Sequence, residues 1–283
     1  MTQLRRRVSG ARVAPVPSVP TTFTAEVTGS GHPVIFIPGF ACSGRVWEGT
    51  VAAMTDVEAH LVTFAGFAGL PPVSEPSLSR IHSELERYIL DSGLRHAVVV
   101  GHSLGGHMAL WLATTVRGLG GVIDVEGFPF LAGADDPAMT HAQAEIAVRP
   151  KVAIFREMTI DELDSWIWQN MSGMFARTGD RDRVLSESVR SDVTTVAQLF
   201  GEGVAKDLRA DLASIQAPVT VVVAGDPADS HGELEVRWRA QLAAIPTVDL
   251  MFLPASHFVM YDQPEAFAAL VDRVVATARR SAQ

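Results

Sequence analysis

Short apolar runs bounded by turn-forming residues recur along the chain. They cover residues 34–38, 60–64, 97–100, 121–125, 219–224 and 248–253. Most are apolar at successive positions, whereas a strand with one face in solvent would alternate apolar and polar residues. Continuous apolar runs of this length are typical of strands that are buried on both faces of a parallel sheet. The pattern therefore predicts six buried strands.

Helical patterns separate these runs. They cover residues 44–54, 78–90, 104–116, 233–244 and 264–278. Alternation of strand and helix is the signature of an α/β fold, since each crossover between parallel strands carries a helix. The chain is therefore predicted to be an α/β protein with a mostly parallel central sheet and helices on both faces.

One interval, residues 128–213, breaks the alternation because it contains no convincing strand and is far too long for a simple loop. We expect it to form a helical cap over the carboxyl edge of the sheet. Most of its large apolar residues should pack the cap helices together, and a minority should face the cleft: Phe155, Met158, Trp166, Ile167, Trp168, Met171, Met174 and Phe175. The predicted organisation is a flexible N-terminal arm over residues 1–22, an α/β core over 23–127 and 214–283, and the cap between them.

The charge and composition of the chain restrict the class of partner that it is expected to bind. The formal net charge is −9, which argues against nucleic acid or an anionic membrane as a partner. The basic cluster at residues 5–7 precedes a proline-rich segment without an apolar stretch, so it does not resemble a secretory signal. No apolar run approaches the roughly 18 residues of a membrane span. We therefore expect a cytoplasmic protein with a small-molecule substrate; the oligomeric state is left open.

The number and spacing of the cysteine and histidine residues argue against disulfide bonds and metal sites. The single cysteine, Cys42, excludes an intramolecular disulfide framework, and we interpret it as a small packing residue or otherwise an incidental pocket thiol. No Cys/His cluster has metal-ligand spacing, and no glycine loop of the phosphate-binding type is present. The expected chemistry needs neither a metal nor a cofactor.

The strongest chemical signal is Gly-His-Ser-Leu-Gly at residues 101–105, between a predicted strand and a predicted helix. A strand, a sharp turn and a helix would hold Ser103 exposed at the apex, as a serine nucleophile requires. Glycine at positions 101 and 105 has a steric explanation, because the residues on either side of such a turn lie against each other and leave no room for a Cβ. Ser103 is the candidate nucleophile.

A serine nucleophile needs a base within hydrogen-bond reach. His257 follows the last predicted strand, so it should lie on a loop at the carboxyl edge of the sheet, the same edge as Ser103. His102 is adjacent to the serine and should point away from it, which suggests a structural role. His107 lies in the following helix. His257 is therefore the candidate base.

These motifs together resemble the α/β-hydrolase fold superfamily. The resemblance covers about residues 23–281 and rests on the serine pentapeptide, on Ile-Pro-Gly-Phe at residues 37–40, and on His257. It implies a serine hydrolase with a helical cap, in which the backbone N–H groups of Phe40 and Leu104 form the oxyanion hole. Proline at position 38, where the family usually has histidine, leaves the Phe40 N–H intact.

The acid that completes the triad is open at this point. The resemblance implies an acid after the strand that follows the nucleophile helix or, more often, after the next core strand beyond the cap. The second site offers Asp226 and Asp229, although the usual Gly-x-x-Asp spacing falls on an alanine. The first offers Asp124 and Glu126. We favour Glu126, because it lies at the mouth of its strand before a glycine; Asp124 is deeper and more suited to a structural role.

The leading hypothesis is a serine esterase that acts through an acyl-enzyme on a small, hydrophobic substrate. A serine at position 103 argues against dehalogenase or epoxide hydrolase chemistry, for which the family uses an aspartate. Alternatives within the fold are a serine aminopeptidase, a carbon–carbon bond hydrolase, a perhydrolase and an acyltransferase. A non-catalytic ligand-binding protein is the alternative from another class.

Overall fold

The computed structural model describes residues 12–13, 22–225 and 232–281. The strands are β1 (Arg12–Val13), β2 (Phe23–Gly29), β3 (His32–Ile37), β4 (Val57–Phe64), β5 (Val98–His102), β6 (Gly121–Val125), β7 (Val219–Ala224) and β8 (Val248–Leu253). The helices are α1 (Glu48–Ala53), α2 (Leu78–Asp91), α3 (Leu104–Thr115), α4 (His141–Glu157), α5 (Ile160–Met171), α6 (Thr178–Ser188), α7 (Val193–Ala205), α8 (Glu233–Leu242), α9 (Val259–Asp262) and α10 (Pro264–Ser281).

The strands form one sheet in the order β1-β2-β4-β3-β5-β6-β7-β8. From β4 to β8 every neighbouring pair is parallel, whereas β1 and β2 pair with antiparallel neighbours. The α/β class and the mostly parallel sheet are thus confirmed, and each of the six predicted strands overlaps an observed one. Side chains of β3 to β7 are mostly buried in the core, whereas the edge strand β8 is only partly buried, so the prediction of burial on both faces is wrong there.

The sequence prediction missed β2. Its residues alternate between the two faces, with Phe23 buried and Thr24 and Glu26 exposed. Because this strand pairs in antiparallel fashion near the edge of the sheet, one of its faces meets solvent. Phe23, Ala25 and Val27 alternate with polar residues, which is the pattern of a half-buried strand. The strands were predicted from continuous apolar runs, and this pattern does not form one.

The turn from β5 into α3 leaves no room for side chains. A Cβ on Gly101 would lie 2.0 Å from the carbonyl oxygen of Gly105, and a Cβ on Gly105 would lie 2.3 Å from that of Ile37. Between the two glycines Ser103 has a φ of 54°. The steric role predicted for both glycines is confirmed, and helix α3 starts directly against the end of β3.

Residues 128–213 contain helices α4 to α7 and no strand. Helices α4 and α5 each begin with a capping box, formed by Thr140 with Gln143 and by Thr159 with Glu162. Of the large apolar residues singled out in this interval, four are buried, namely Phe155, Ile167, Met171 and Phe175, and they join the same apolar cluster as the sheet.

The predicted boundaries of arm, core and cap remain a prediction. Of the arm, only Arg12–Val13 and Thr22 are described; residues 1–11 and 14–21 lie outside the described part of the chain. Across the described ranges, no helix has the length and apolar character needed to cross a bilayer.

Cys42 lies in the core, with its Sγ 3.9 Å from the Ser188 hydroxyl. Burial raises the pKa of the thiol to about 12, so the thiol stays protonated and unreactive at neutral pH. Cys42 therefore serves as a small packing residue, as the sequence indicates.

Candidate active site

Ser103 lies at the apex of the turn between β5 and α3, with φ 54° and ψ −117°. Its N–H donates to the carbonyl of Val125 at 2.7 Å, and its carbonyl accepts from the N–H of His107 at 3.0 Å. A non-glycine residue in this conformation is strained, and such strain is typical of functional sites that the surrounding structure holds in place. Two hydrogen bonds and two glycines hold Ser103 here.

Glu126 follows the last residue of β6 and also has a left-handed backbone, with a φ of 60°. Its N–H donates to the carbonyl of Val222, and its Oε1 accepts from the N–H of Ala224 at 2.8 Å. The second oxygen, Oε2, lies 3.1 Å from Nδ1 of His257. The ends of β6 and β7 thus fix a carboxylate that faces the loop after β8.

The loop that carries His257 is anchored on both sides. The Ser256 N–H donates to the Asp262 carboxylate at 2.7 Å, and the Phe258 N–H donates to the carbonyl of Met174 at 3.2 Å. The second bond ties the loop to residues 128–213. The imidazole of His257 is therefore held from the core, from the helical interval and by Glu126.

His102 connects the loop of His257 to the serine turn. Its Nε2–H donates to the carbonyl of His257 at 3.0 Å, and its ring lies 4.7 Å from the His257 ring and 4.5 Å from that of Phe258, between centroids. Burial holds the pKa of His102 well below its ordinary value, so the ring is neutral. The sequence suggests a structural role for His102, and this bond gives it one.

Two backbone segments flank Ser103. The chain turns at residues 39–42, where the Cys42 N–H donates to the Gly39 carbonyl at 3.2 Å. A Cβ on Gly39 would lie 3.3 Å from Cβ of Ser103, so the backbone before Phe40 closely approaches the serine. Leu104 begins α3, and the N–H of a first helical residue has no partner within its helix. Phe40 and Leu104 thus flank the serine from two sides.

A cavity of about 380 Å³ opens over these groups. All five residues predicted for the site line it: Phe40, Ser103, Leu104, Glu126 and His257. Most of the remaining lining is apolar and comes from residues 128–213: Phe128, Leu131, Trp166, Met171, Met174, Leu199, Phe200, Gly203 and Val204. Of the large residues singled out from the sequence, Trp166, Met171 and Met174 are the minority that reach the cleft.

The electrostatics of the described cavity lining are simple. Glu126 is its one carboxylate and is paired with His257, and the lining contains no Lys or Arg. A buried charge on a ligand would therefore meet no counter-ion from these residues, which makes the cavity suited to a neutral, apolar group.

The other candidate acids are placed differently. Asp124 has no exposed surface and its Oδ1 accepts from the Gly127 N–H at 2.9 Å, which fits the structural role predicted for it. Asp226 and Asp229 lie outside the described residues. Of the two acids on the β6 side, the structure brings Glu126 to His257.

The sequence analysis gave His107 no role, yet it lines the cavity. Its Nδ1–H donates to the Phe128 carbonyl at 3.0 Å, and burial lowers the pKa of the ring from 6.5 to about 4. His107 is thus a neutral residue that ties α3 to the start of the helical interval. No local sequence signal distinguishes this histidine from a surface one.

Comparisons with known proteins identify the family and the fold. A model of the alpha/beta hydrolase family matches residues 34–270. A pimeloyl-[acyl-carrier protein] methyl ester esterase from Vibrio atlanticus is 28% identical over 153 residues, which are 52% of this chain and 55% of the esterase. The chain thus matches only about half the length of that relative.

Two longer similarities accompany it. A 2-succinyl-6-hydroxy-2,4-cyclohexadiene-1-carboxylate synthase from Escherichia fergusonii is 24% identical over 247 residues, covering 86% of this chain and 93% of the synthase. The structure of a thermophilic esterase from Thermogutta terrifontis superposes with a TM-score of 0.73 at 18% identity, covering 95% of this chain and 99% of the esterase. Structural similarity at that identity shows the fold alone.

The neutral state of His107 makes folding stability depend on pH. Between the folded pKa of about 4 and the ordinary value of 6.5, the unfolded chain binds more protons than the folded one. The contribution of neutral His107 to the free energy of unfolding is therefore fully present above pH 6.5. It is lost as the pH falls to about 4, and the loss is on the order of 3 kcal/mol.

We expect the unfolding free energy of His107→Gln, measured by urea denaturation, to fall less between about pH 7 and about pH 4.5 than that of the unmodified protein. His96→Gln, at an exposed position, is the matched control and should follow the unmodified protein. An equal fall in the His107 and His96 variants would contradict the assignment.

Proposed function

The chain belongs to the alpha/beta hydrolase family, and we propose that it is a serine hydrolase that cleaves an ester or related acyl bond of a small, apolar substrate. The observation that carries the proposal is the hydrogen bond of 3.1 Å between Glu126 and His257 in the cavity that also holds the strained Ser103. A serine, a histidine and an acid that line one cavity can act as a nucleophile, a base and a group that orients the base.

In the first half of the proposed reaction, His257 takes the proton from the Ser103 hydroxyl as its oxygen attacks the carbonyl carbon of the ester. The tetrahedral intermediate places its negative oxygen against the N–H groups of Phe40 and Leu104. Each such donor contributes on the order of 3 kcal/mol to stabilising the transition state. The intermediate collapses when the alcohol leaves with the proton from His257.

In the second half, His257 takes a proton from water, and the hydroxide that forms attacks the acyl-enzyme. The acid departs and the proton returns to Ser103. Glu126 accepts the Nδ1–H of His257 throughout, which directs Nε2 toward the serine and stabilises the imidazolium. The Ala224 N–H on the other carboxylate oxygen keeps Glu126 in this orientation.

The cavity supports an apolar acyl or alcohol group over charged substrates. An aminopeptidase needs a carboxylate for the substrate ammonium, and the one carboxylate in the described lining is engaged with His257. The name of the Escherichia fergusonii relative specifies a carboxylate compound, and the same lining offers no Lys or Arg to pair with one. An ester with a neutral hydrocarbon chain fits these residues best.

The nucleophile is tested with a fluorophosphonate probe, which reacts with activated serines. We expect one adduct per chain, located by mass spectrometry at Ser103 and absent in Ser103→Ala. A folded, intact protein that never reacts, or an adduct at another serine, would contradict the proposed function.

The acid is tested by two isosteric amides. Glu126→Gln should lower kcat by about 10⁴-fold, as removal of an orienting carboxylate does elsewhere, with little change in the melting temperature. Asp229→Asn should leave kcat within a few-fold of the unmodified protein. If the Asp229 variant loses activity and the Glu126 variant keeps it, the acid lies in the loop after β7.

Chain-length selectivity is tested with p-nitrophenyl esters from acetate to decanoate. A Cβ on Gly203 would lie 2.8 Å from Cδ1 of Leu104, so Gly203→Ala displaces a side chain that lines the cavity. The preference for long over short esters should fall about tenfold. Gly201→Ala is the control, since its Cβ would meet Val152 outside the cavity; an equal change in both variants would contradict this description of the acyl site.

A further inference from the structure

A carboxyl group that the proposed reaction does not use lies directly behind the site. Asp124, in β6, has no exposed surface. Its Oδ1 accepts from the Gly127 N–H at 2.9 Å, and its Oδ2 is buried without a hydrogen-bond partner among the described residues. A buried carboxyl oxygen without a hydrogen-bond partner destabilises a fold, so its presence at this position calls for an explanation.

Two glycines make room for this side chain. A Cβ on Gly106, in the first turn of α3, would lie 2.1 Å from Asp124 Oδ1, and a Cβ on Gly127 would lie 2.5 Å from the same atom. Only residues without side chains allow the carboxyl to occupy this space. Helix α3 and the turn after β6 therefore both pack closely against the Asp124 side chain.

The bond from Gly127 to Asp124 closes a turn that contains Glu126. Glu126 has a φ of 60°, a left-handed conformation that a glutamate adopts only against a steric penalty. Aspartate side chains stabilise turns by accepting hydrogen bonds from nearby backbone N–H groups. If Glu126 returned to a right-handed or extended backbone, its carboxylate would leave both the Ala224 N–H and His257.

We propose that Asp124 is a positioning residue: its side chain closes the turn that keeps Glu126 left-handed, and so aims the Glu126 carboxylate at His257. Its catalytic consequence rests on the proposed serine hydrolase function. Asp124 does not line the cavity and its side chain bonds to the Gly127 N–H, so in this proposal it acts on the reaction through Glu126.

The electrostatic setting agrees with this role. Burial raises the pKa of Asp124 well above its ordinary value, with a further contribution from the nearby charge of Glu126. A raised pKa favours the protonated form of the carboxyl, which carries no charge to repel the Glu126 carboxylate and still accepts the hydrogen bond from Gly127. Asparagine has the same shape, the same acceptor and no charge, so Asp124→Asn is a faithful replacement.

The test is a double-mutant cycle on the full chain, with kcat and KM measured on a p-nitrophenyl ester. Asp124→Asn should retain kcat within roughly threefold. Asp124→Ala and Asp124→Leu, which lack the acceptor, should lower kcat about tenfold to a hundredfold with KM nearly unchanged. In the Glu126→Gln background, the same two substitutions should have no further effect on kcat, because the group that they displace is already gone.

Equal losses in both backgrounds would overturn the proposal, since a general packing defect multiplies with the loss of Glu126. A folded Asp124→Asn variant with kcat reduced more than tenfold would also overturn it, and this arm decides the matter if the Ala and Leu variants do not fold. Failure of the proposed function is recognised separately, because the unmodified protein would then not react with a fluorophosphonate at Ser103.

Discussion

The close approach of three backbone segments at the end of β5 determines the geometry of the whole site. A Cβ on Gly101, Gly105 or Gly39 would collide with, or press against, the neighbouring segment. Because these positions carry no side chains, the chain reverses at Ser103 within one residue and α3 starts against β3. Phe40 and Leu104 then line the cavity beside the same serine, whose strained φ must be stabilised by the surrounding contacts.

The other half of the site depends on the loops that follow β6 and β8. Glu126 and His257 lie 131 residues apart in sequence, and the parallel sheet brings them to the same edge. Hydrogen bonds from Ala224 to Glu126 and from His102 to the His257 carbonyl fix their orientation. Since the Phe258 N–H is bonded to Met174, the position of the base also depends on the helical interval that supplies the apolar wall of the cavity.

The sequence predicted the elements and the chemistry that depend on local pattern. Continuous apolar runs identified the six parallel strands, and the spacing around Ser103 identified the turn. It favoured Glu126 over the acids after β7 from its position at the end of a strand, but it could not show the left-handed backbone at Glu126 or the donor from Ala224, 98 residues away, that hold its carboxylate near His257. The sequence suggested a structural role for His102 but not its partner, the His257 carbonyl, which lies 155 residues away. Strand β2 was missed for another reason, its alternating pattern.

The most direct test of the proposed site is a crystal structure of the fluorophosphonate adduct. The phosphonyl group on the serine mimics the tetrahedral intermediate, so its oxygen reports where negative charge is stabilised. We expect the phosphorus on Ser103 Oγ, its oxygen within about 3 Å of the N–H groups of both Phe40 and Leu104, and His257 Nδ1 still bonded to Glu126. A phosphonyl oxygen turned away from both N–H groups, or His257 bonded to an acid from the loop after β7, would contradict this account.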